Sequence, residues 1–418
     1  MAKKLLALAL ALMMVLSLMA CGAKTEAPAE TPDQTAGAPA DTTEKTNDVP
    51  ETTETLPPPP VNDWATEHKI NDGTETADEL YELAKAEGSV VLYSISSRCT
   101  KVADSFNAQY PGVVCEPYDL GSGEIAEKVM REHESGIQNC DVVHCKDMDG
   151  SYYTEFVQEG IFHIYYPADI VEHIDPSLRQ YVMPMYIELQ NWFYNYELCD
   201  EQPINSWWDL TKPEWAGKFY FSVPTSTGDV TASLTALTAY SADFAANYEE
   251  VFGEPIEYTN PWGEENAVYE LIWRLSQNQP LEAGTDAALE GLSLAEEVLI
   301  AMGPSSKLRN NASKGWKLKE IKIEPYVGIP ATNVLYIVDN CPHPNAAKLL
   351  VRWMMGEADG TGEGNKPWQT LGGWSVRDDI ADTEGMATLD EMNIIPEDPV
   401  YVYEHVSDLI DFGLEITG

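Results

Sequence analysis

The sequence predicts an α/β fold, and three observations predict it. Short apolar runs bounded by polar residues recur at 89–94, 113–118 and 141–144, and stretches with helical spacing separate them at 100–110 and 121–133. Strand, helix, strand, helix, strand in this rhythm is the grammar of a parallel sheet covered by helices. The chain is also long, 418 residues at 44% hydrophobic and 10% aromatic, which is enough for two cores. In such a sheet ligands sit beyond the carboxyl ends of the strands. Ser96, Ser97, Lys146 and Asp147 fall there.

The elements can be justified in order. Residues 1–20 read as a signal, with Lys3 and Lys4 as the positive start, Leu5 to Leu16 as the apolar stretch, and small Ala20 before Cys21. The run Leu18-Met19-Ala20-Cys21 resembles the lipobox of a bacterial lipoprotein. Cleavage would leave Cys21 to carry acyl chains, palmitate among them, anchoring the chain outside the cell membrane. Residues 21–63 are Thr, Pro, Ala and Glu with almost nothing to bury, so a disordered tether is expected, stiffened at Pro57 to Pro60. A short helix follows at 77–85, closed by Gly88, then a strand at 89–94 and a helix at 100–110 stopped by Pro111-Gly112. Strand 113–118, helix 121–133 and strand 141–144 complete the first α/β unit.

A second region starts near Leu189. Residues 190–196 read as an aromatic strand, 203–218 as a helical turn between prolines, and 219–223 as a strand ending in Pro224-Thr225-Ser226-Thr227-Gly228. Helical spacing covers 229–240, 264–276 and 285–302. The chain turns strand-like again over 326–338, and 344–355 and 399–411 are amphipathic helices.

Charge excludes one class of partner. Sixty-nine acidic residues against 25 Lys and Arg give a formal net charge of −44. Nucleic acid is held by clustered Lys and Arg, and no basic stripe exists here. The tether explains little of this, since it carries nine acids against two lysines, so the folded part is strongly acidic itself. A polytopic membrane protein is excluded because the one long apolar run lies at the N-terminus.

Six cysteines remain after Cys21: Cys99, Cys115, Cys140, Cys145, Cys199 and Cys341. An even count in an exported chain permits up to three disulfides, in fifteen complete pairings. Cys140 and Cys145 flank an apolar strand that would turn their thiols to opposite faces. A metal at His144 and Cys145 would need about four convergent ligands, and buried thiols or longer-range bridges are the better expectation.

The landmarks EGSVVLYSISSR, YPGVVCEPYDLGSGE, CDVVHCKD, WFYNYELC, WWDLTKPEWAGKFYFSVPTSTG and PHPNAAKLLVRWMMGE, in this order over residues 80–385, resemble extracellular solute-binding proteins of ABC importers. The likeness is to the branch of ferric-ion, sugar-phosphate, phosphonate and thiamine-type receptors. It implies a class II periplasmic-binding fold of two lobes with a hinge and an interlobe cleft. Lobe one would be 80–187 plus 326–418, and lobe two 188–325. It also implies a monomer that hands a small-molecule solute to an ABC permease, with no cofactor.

Candidate ligand contacts follow from the strand ends and the resemblance together. Ser96, Ser97 and Arg98 sit where a strand feeds a helix, so hydroxyls and free N–H groups converge as at an anion site. Plain N-capping explains the serines equally well from pattern alone. Ser226, Thr227 and Gly228 repeat the arrangement in the second lobe, where Asp229 would disfavour an anion if it faced inward. Lys146 and Asp147 would gate or cap the cleft. Tyr194 and Tyr196 would stack on ligand or pack at the hinge. Ser305 and Ser306 fall where the chain returns to the cleft, at the place where ferric receptors of this kind carry a tyrosine pair. Iron(III) wants hard anionic oxygens, so serine there argues against ferric ion. Trp207, Trp208 and Trp215 read as packing, with a sugar platform as the alternative.

The expected activity is capture of a small polar, oxyanion-bearing solute. A ferric or metal-chelate receptor and a ligand-sensing module for a signalling partner are the alternatives. An exported hydrolase is the weakest reading, since the seven histidines are scattered and neither HExxH nor GxGxxG occurs.

Overall fold

The computed structural model describes residues 57–418, so the signal, Cys21 and the tether up to residue 56 lie outside the described residues. The fold takes in chain earlier than the expected boundary at 63. The Pro57 carbonyl accepts hydrogen bonds from the Tyr153 hydroxyl (2.9 Å) and Gln158 Nε2 (3.1 Å). Asn62 caps helix α1 (Asp63–Glu67) through the Ala65 amide and donates to Asp339 at 2.7 Å.

Thr76 and Glu79 form a reciprocal capping box that starts α2 (Ala77–Glu87), and Gly88, at φ 80°, ends it as only a glycine does readily. Then follow β1 (Ser89–Ser94), α3 (Cys99–Gln109), β2 (Val114–Asp119), α4 (Ser122–Ser135) and β3 (Val142–Lys146), matching the expected rhythm. Short β4 (Phe162–His163) and α5 (Ala168–Val171) lead to β5 (Met183–Asn195). The second region holds β6 (Phe219–Tyr220), α6 (Asp229–Thr238), α7 (Ser241–Phe252), α8 (Ala267–Gln277), α9 (Thr285–Leu294), β7 (Ile300–Pro304), α10 (Arg309–Lys314) and β8 (Leu318–Glu320). The chain returns through β9 (Gly328–Val338), α11 (Pro344–Met354) and β10 (Trp374–Ser375) to α12 (Pro399–Thr417).

The strands join edge to edge in the order β2-β1-β3-β9-β5-β7-β6. β1 is parallel to β2 and β3, while β9 runs antiparallel to β3 and β5, and β5 antiparallel to β7. Two cores hang on this ribbon. The first gathers Val90, Leu92, Phe106, Val142, Leu189, Ile337 and Leu349; the second gathers Trp192, Trp207, Trp208, Leu234, Leu271 and Ile300. The chain therefore passes between cores along β5, between Leu189 and Trp192, and again between Ile323 and Val327 before β9. Two α/β halves joined along β5 and ahead of β9, with a third crossing between Met392 and Ile395 that brings α12 to the second core, make this the class II periplasmic-binding architecture.

Three expectations need correction. The strand expected at 190–196 begins at Met183: MPMYIEL pairs edge to edge with β9, is buried throughout and so shows no alternation. The helix expected over 285–302 stops at Leu294, and Ile300 to Pro304 turn back as β7 against Gln190 to Phe193. The C-terminal helix, expected with lobe one, belongs to the second core. Its Leu409 and Phe412 are fully buried there, against α6 and α8. Helix α7, unforeseen in the sequence, packs Phe244 into the same core.

Candidate ligand-binding cleft

Strand β5 builds the floor. Side chains alternate along a strand, so Tyr186, Glu188 and Gln190 share one face while Ile187 and Leu189 enter the first core. From the first half, Arg98 Nη2 donates to the Tyr186 hydroxyl at 2.7 Å. Lys146, ending β3, places Nζ 2.6 Å from Glu188 Oε1. From the second half, Asp229 opens α6 with Oδ2 3.3 Å from Lys146 Nζ and 3.3 Å from Gln190 Nε2. The floor thus connects both halves through charge, with Lys146 as the bridge.

Arg98 is held on three sides. Ser96 Oγ accepts its Nε at 3.0 Å, and its guanidinium lies 4.3 Å over the Trp368 ring and 5.3 Å over Tyr186. Its Nη1 is buried without a hydrogen-bond partner. Arg98 also precedes α3, whose first-turn N–H groups already donate to the Ser96, Ser97 and Arg98 carbonyls, so the guanidinium and not the helix start is the donor offered here. Arg309 lies near enough that burial and Arg98 together lower its affinity for a proton. Burial drives His144 down to about 3, helped by Arg98 and Lys146, so this histidine is neutral. It bonds Ser94 and Asn333 and is a structural group.

The central pair is firmly ionised. Burial works against charge on Lys146, but Glu188 and then Asp229 outweigh it and hold the ammonium above its ordinary range. Burial likewise opposes charge on Glu188, and Lys146 and Arg98 overcome it, holding the carboxyl below its ordinary range. Glu188 Oε2 and Gln190 Oε1 are nonetheless buried acceptors with no partner. Tyr186 is pushed up to about 12 by burial and by Glu188, so its hydroxyl keeps its proton.

The second half adds an open hollow of about 420 Å³ between Gln190, the 222–231 segment, Thr285 and Lys307. Ser226, Thr227 and Gly228 are exposed on its rim. Both α6 and α9 begin at it without a side-chain cap. Each carries one first-turn acid already paired with a lysine, Asp229 with Lys146 and Asp286 with Lys307.

The expected residues divide accordingly. Arg98 and Lys146 converge on the floor, Ser96 orients Arg98, and Ser97 is exposed at the start of α3. Ser306 hydroxyl and carbonyl both accept from Arg309, at 2.9 and 2.5 Å, beside Glu188. Ser305 is a correction: it is fully buried, accepts the Leu189 amide at 2.9 Å and donates its proton to the Gly372 carbonyl at 2.5 Å, so its hydroxyl serves the packing around β5. Tyr194 is another, because it sits inside the second core. Trp207 and Trp208 are core residues whose indole N–H groups bond main-chain carbonyls of Tyr326 and Phe244. Asp147 accepts the Tyr152 and Tyr153 amides and caps the turn after β3. Sequence reasoning missed Tyr186, Glu188, Gln190, Arg309 and Trp368. The signal available was a glutamate and a glutamine two apart inside a strand run flanked by large apolar residues, YIELQNW.

Among the described residues, one group of three side chains could hold a metal: His173, Asp378 and Asp379, in a separate depression. None of these three belongs to the floor.

The sequence matches the model of the bacterial extracellular solute-binding protein family over residues 73–361, and the chain belongs to that family. Its members bind solutes for transport and do not transform them. No protein of curated function matches it. Several solved structures share the fold. Iron-bound HitA from Pseudomonas aeruginosa is 16% identical, with a TM-score of 0.59 over 78% of this chain and 99% of its own. AfuA from Actinobacillus pleuropneumoniae, bound to fructose-6-phosphate, is 17% identical, with a TM-score of 0.58 over 78% of this chain and 98% of its own. The periplasmic binding protein P5PA is 17% identical at a TM-score of 0.56, over 78% and 99%.

Proposed function

We propose that this chain captures a small oxyanion-bearing solute in the cleft between its two halves and delivers it to an ABC permease, held at the outer face of the membrane by acyl chains on Cys21. The observation that carries the reading is Arg98. Its guanidinium is fixed by Tyr186, Ser96 and Trp368, yet its Nη1 stays buried and unmatched. A buried unsatisfied donor costs about 1–3 kcal/mol, and an anion restores that while gaining charge-assisted bonds. Ser97 from the first half and Thr227 from the second would add hydroxyl donors on closure. A strongly acidic body repels anions at long range, so selectivity for one rests on these local donors.

Sugar phosphates, phosphonates and carboxylates all present the required oxyanion. Ferric ion fits less well, because the floor offers two cations beside each other, Arg98 and Arg309, and Ser305 and Ser306 stand at the expected tyrosine positions.

A thermal-shift panel on the full chain in mild detergent tests the proposal, using inorganic phosphate, phosphorylated sugars, alkylphosphonates, carboxylates and ferric citrate. A multi-degree rise with one anionic class, abolished in Arg98→Gln, is the expected result. A rise that Arg98→Gln leaves intact, or none with any anion, would sink it.

A further inference from the structure

We infer that the captured solute is amphoteric, carrying an oxyanion for Arg98 and a protonated amine about one strand repeat away for Glu188 and Gln190. This rests on the oxyanion reading above and names the class of solute within it.

The floor of the cleft is electrically bipolar. At one end Arg309 lies close enough to Arg98 that its own charge is disfavoured. At the other end Lys146 lies between two carboxylates, Glu188 at 2.6 Å and Asp229 at 3.3 Å, and Glu188 feels Arg98 as well. A simple anion meets the first end and leaves the carboxylate end without a donor.

The unmatched atoms have the same polarity. Arg98 Nη1 is a donor without an acceptor, whereas Glu188 Oε2 and Gln190 Oε1 are acceptors without donors. The Glu188 side chain is 4% exposed and Gln190 2% exposed, so bulk water does not serve them freely. Two acceptors on alternate residues of one strand face stand about 7 Å apart, and Tyr186, which holds Arg98, precedes Glu188 by the same step. A chain of three or four carbons between oxyanion and ammonium spans that interval. An ammonium offers three donors in a compact head, enough to meet both acceptors. A hydroxyl offers one and brings no charge to the carboxylate end.

Matched probe sets test this on the full chain by calorimetry. One set is 3-aminopropylphosphonate, 3-hydroxypropylphosphonate and propylphosphonate; the other is 4-aminobutanoate, 4-hydroxybutanoate and butanoate. In at least one set the amine binds about tenfold or more tighter than both partners, since a charge-assisted hydrogen bond lost to a buried carboxylate costs at least that factor. Gln190→Met and Glu188→Gln bring the amine-to-alkyl ratio down to about threefold or less. Gln190→Met leaves no buried charge unpaired, so it serves where Glu188→Gln fails to fold. Equal binding within both sets, or a ratio unmoved in Gln190→Met, overturns the amphoteric solute. Thermal rises with phosphorylated sugars, but binding of none of these six probes, overturn it while sparing capture of an oxyanion. Failure of every anion overturns both.

Discussion

Lys146 Nζ and Glu188 Oε1 lie 2.6 Å apart, one at the end of β3 and the other midway along β5. The pair joins the first half to the strand that crosses into the second, and Asp229 extends it onto α6. Two charges at such depth are costly to bury and hold only while both are present.

Removing one partner should therefore be far worse than removing both. Lys146→Met strands Glu188 as a buried carboxylate beside a second acid, and destabilisation of about 3–5 kcal/mol is expected. Adding Glu188→Gln to it should recover more than half of that loss. Denaturant melts of the two single variants and the double variant measure the coupling. Additive losses would show that the pair contributes nothing as a pair.

Ser305 gives a second case in which chemistry and packing separate. Its hydroxyl holds the Leu189 amide of β5 and the Gly372 carbonyl together, and Gly372, at φ 78°, lies so close that any side chain there would overlap the Ser305 carbonyl. Ser305→Ala leaves a buried N–H and C=O unmatched and should cost about 1–3 kcal/mol in a thermal or urea melt. A neutral result would mean that water replaces the hydroxyl.

Stability should fall as pH rises through the neutral range. Burial pushes Glu320 up to about 7 and Asp147 up to about 7, far above unfolded carboxyls. A group with a raised folded pKa binds more protons in the native state, so its stabilising contribution is present below about pH 4 and is lost progressively as pH approaches 7. The melting temperature should be higher at pH 5.5 than at pH 7.5. Glu320→Gln should remove about 2 kcal/mol of that slope, after allowance for the water that reaches this side chain. Melts across pH 5–8 for both proteins decide it, and an unchanged slope in the variant would show that Glu320 ionises normally.

Legibility of the fold in the sequence followed the local signals. The rhythm from Ala77 to Lys146 was readable because each helix there has an amphipathic face and each strand is bounded by turn residues. β5 was only half legible: its first seven residues are buried on both faces and carry neither alternation nor a turn signal. Residues 295–302 were misread because the apolar run VLIAM fits a helix or a strand equally until β5 is there to pair with it. The cleft shows the same division. Arg98 and Lys146 stand at strand ends, where position alone points to ligand. Glu188, Gln190 and Trp368 reach the floor from a strand interior and a distant loop, and only tertiary structure brings them to Arg98. Ser305 and Tyr194 had the residue types of ligand contacts, but their side chains turn into the packing.

The position of α12 yields the last prediction. Gly413 packs so tightly against the main chain of Pro224 that a methyl group there would overlap the Pro224 carbonyl. Pro224 begins the segment that carries Ser226, Thr227 and Gly228 to the rim of the hollow. Gly413→Ala must therefore displace either α12, which anchors Leu409 and Phe412 in the second core, or the rim segment itself. Overpacking of this kind costs about 1–3 kcal/mol, and the affinity for the oxyanion solute should drop with it if the rim moves. Leu414→Ala, one residue along and exposed, is the matched control and should change neither. A lowered melting temperature at unchanged affinity would assign the displacement to α12 and leave the rim in place. Loss of both would make the C-terminal helix a support of the binding cleft.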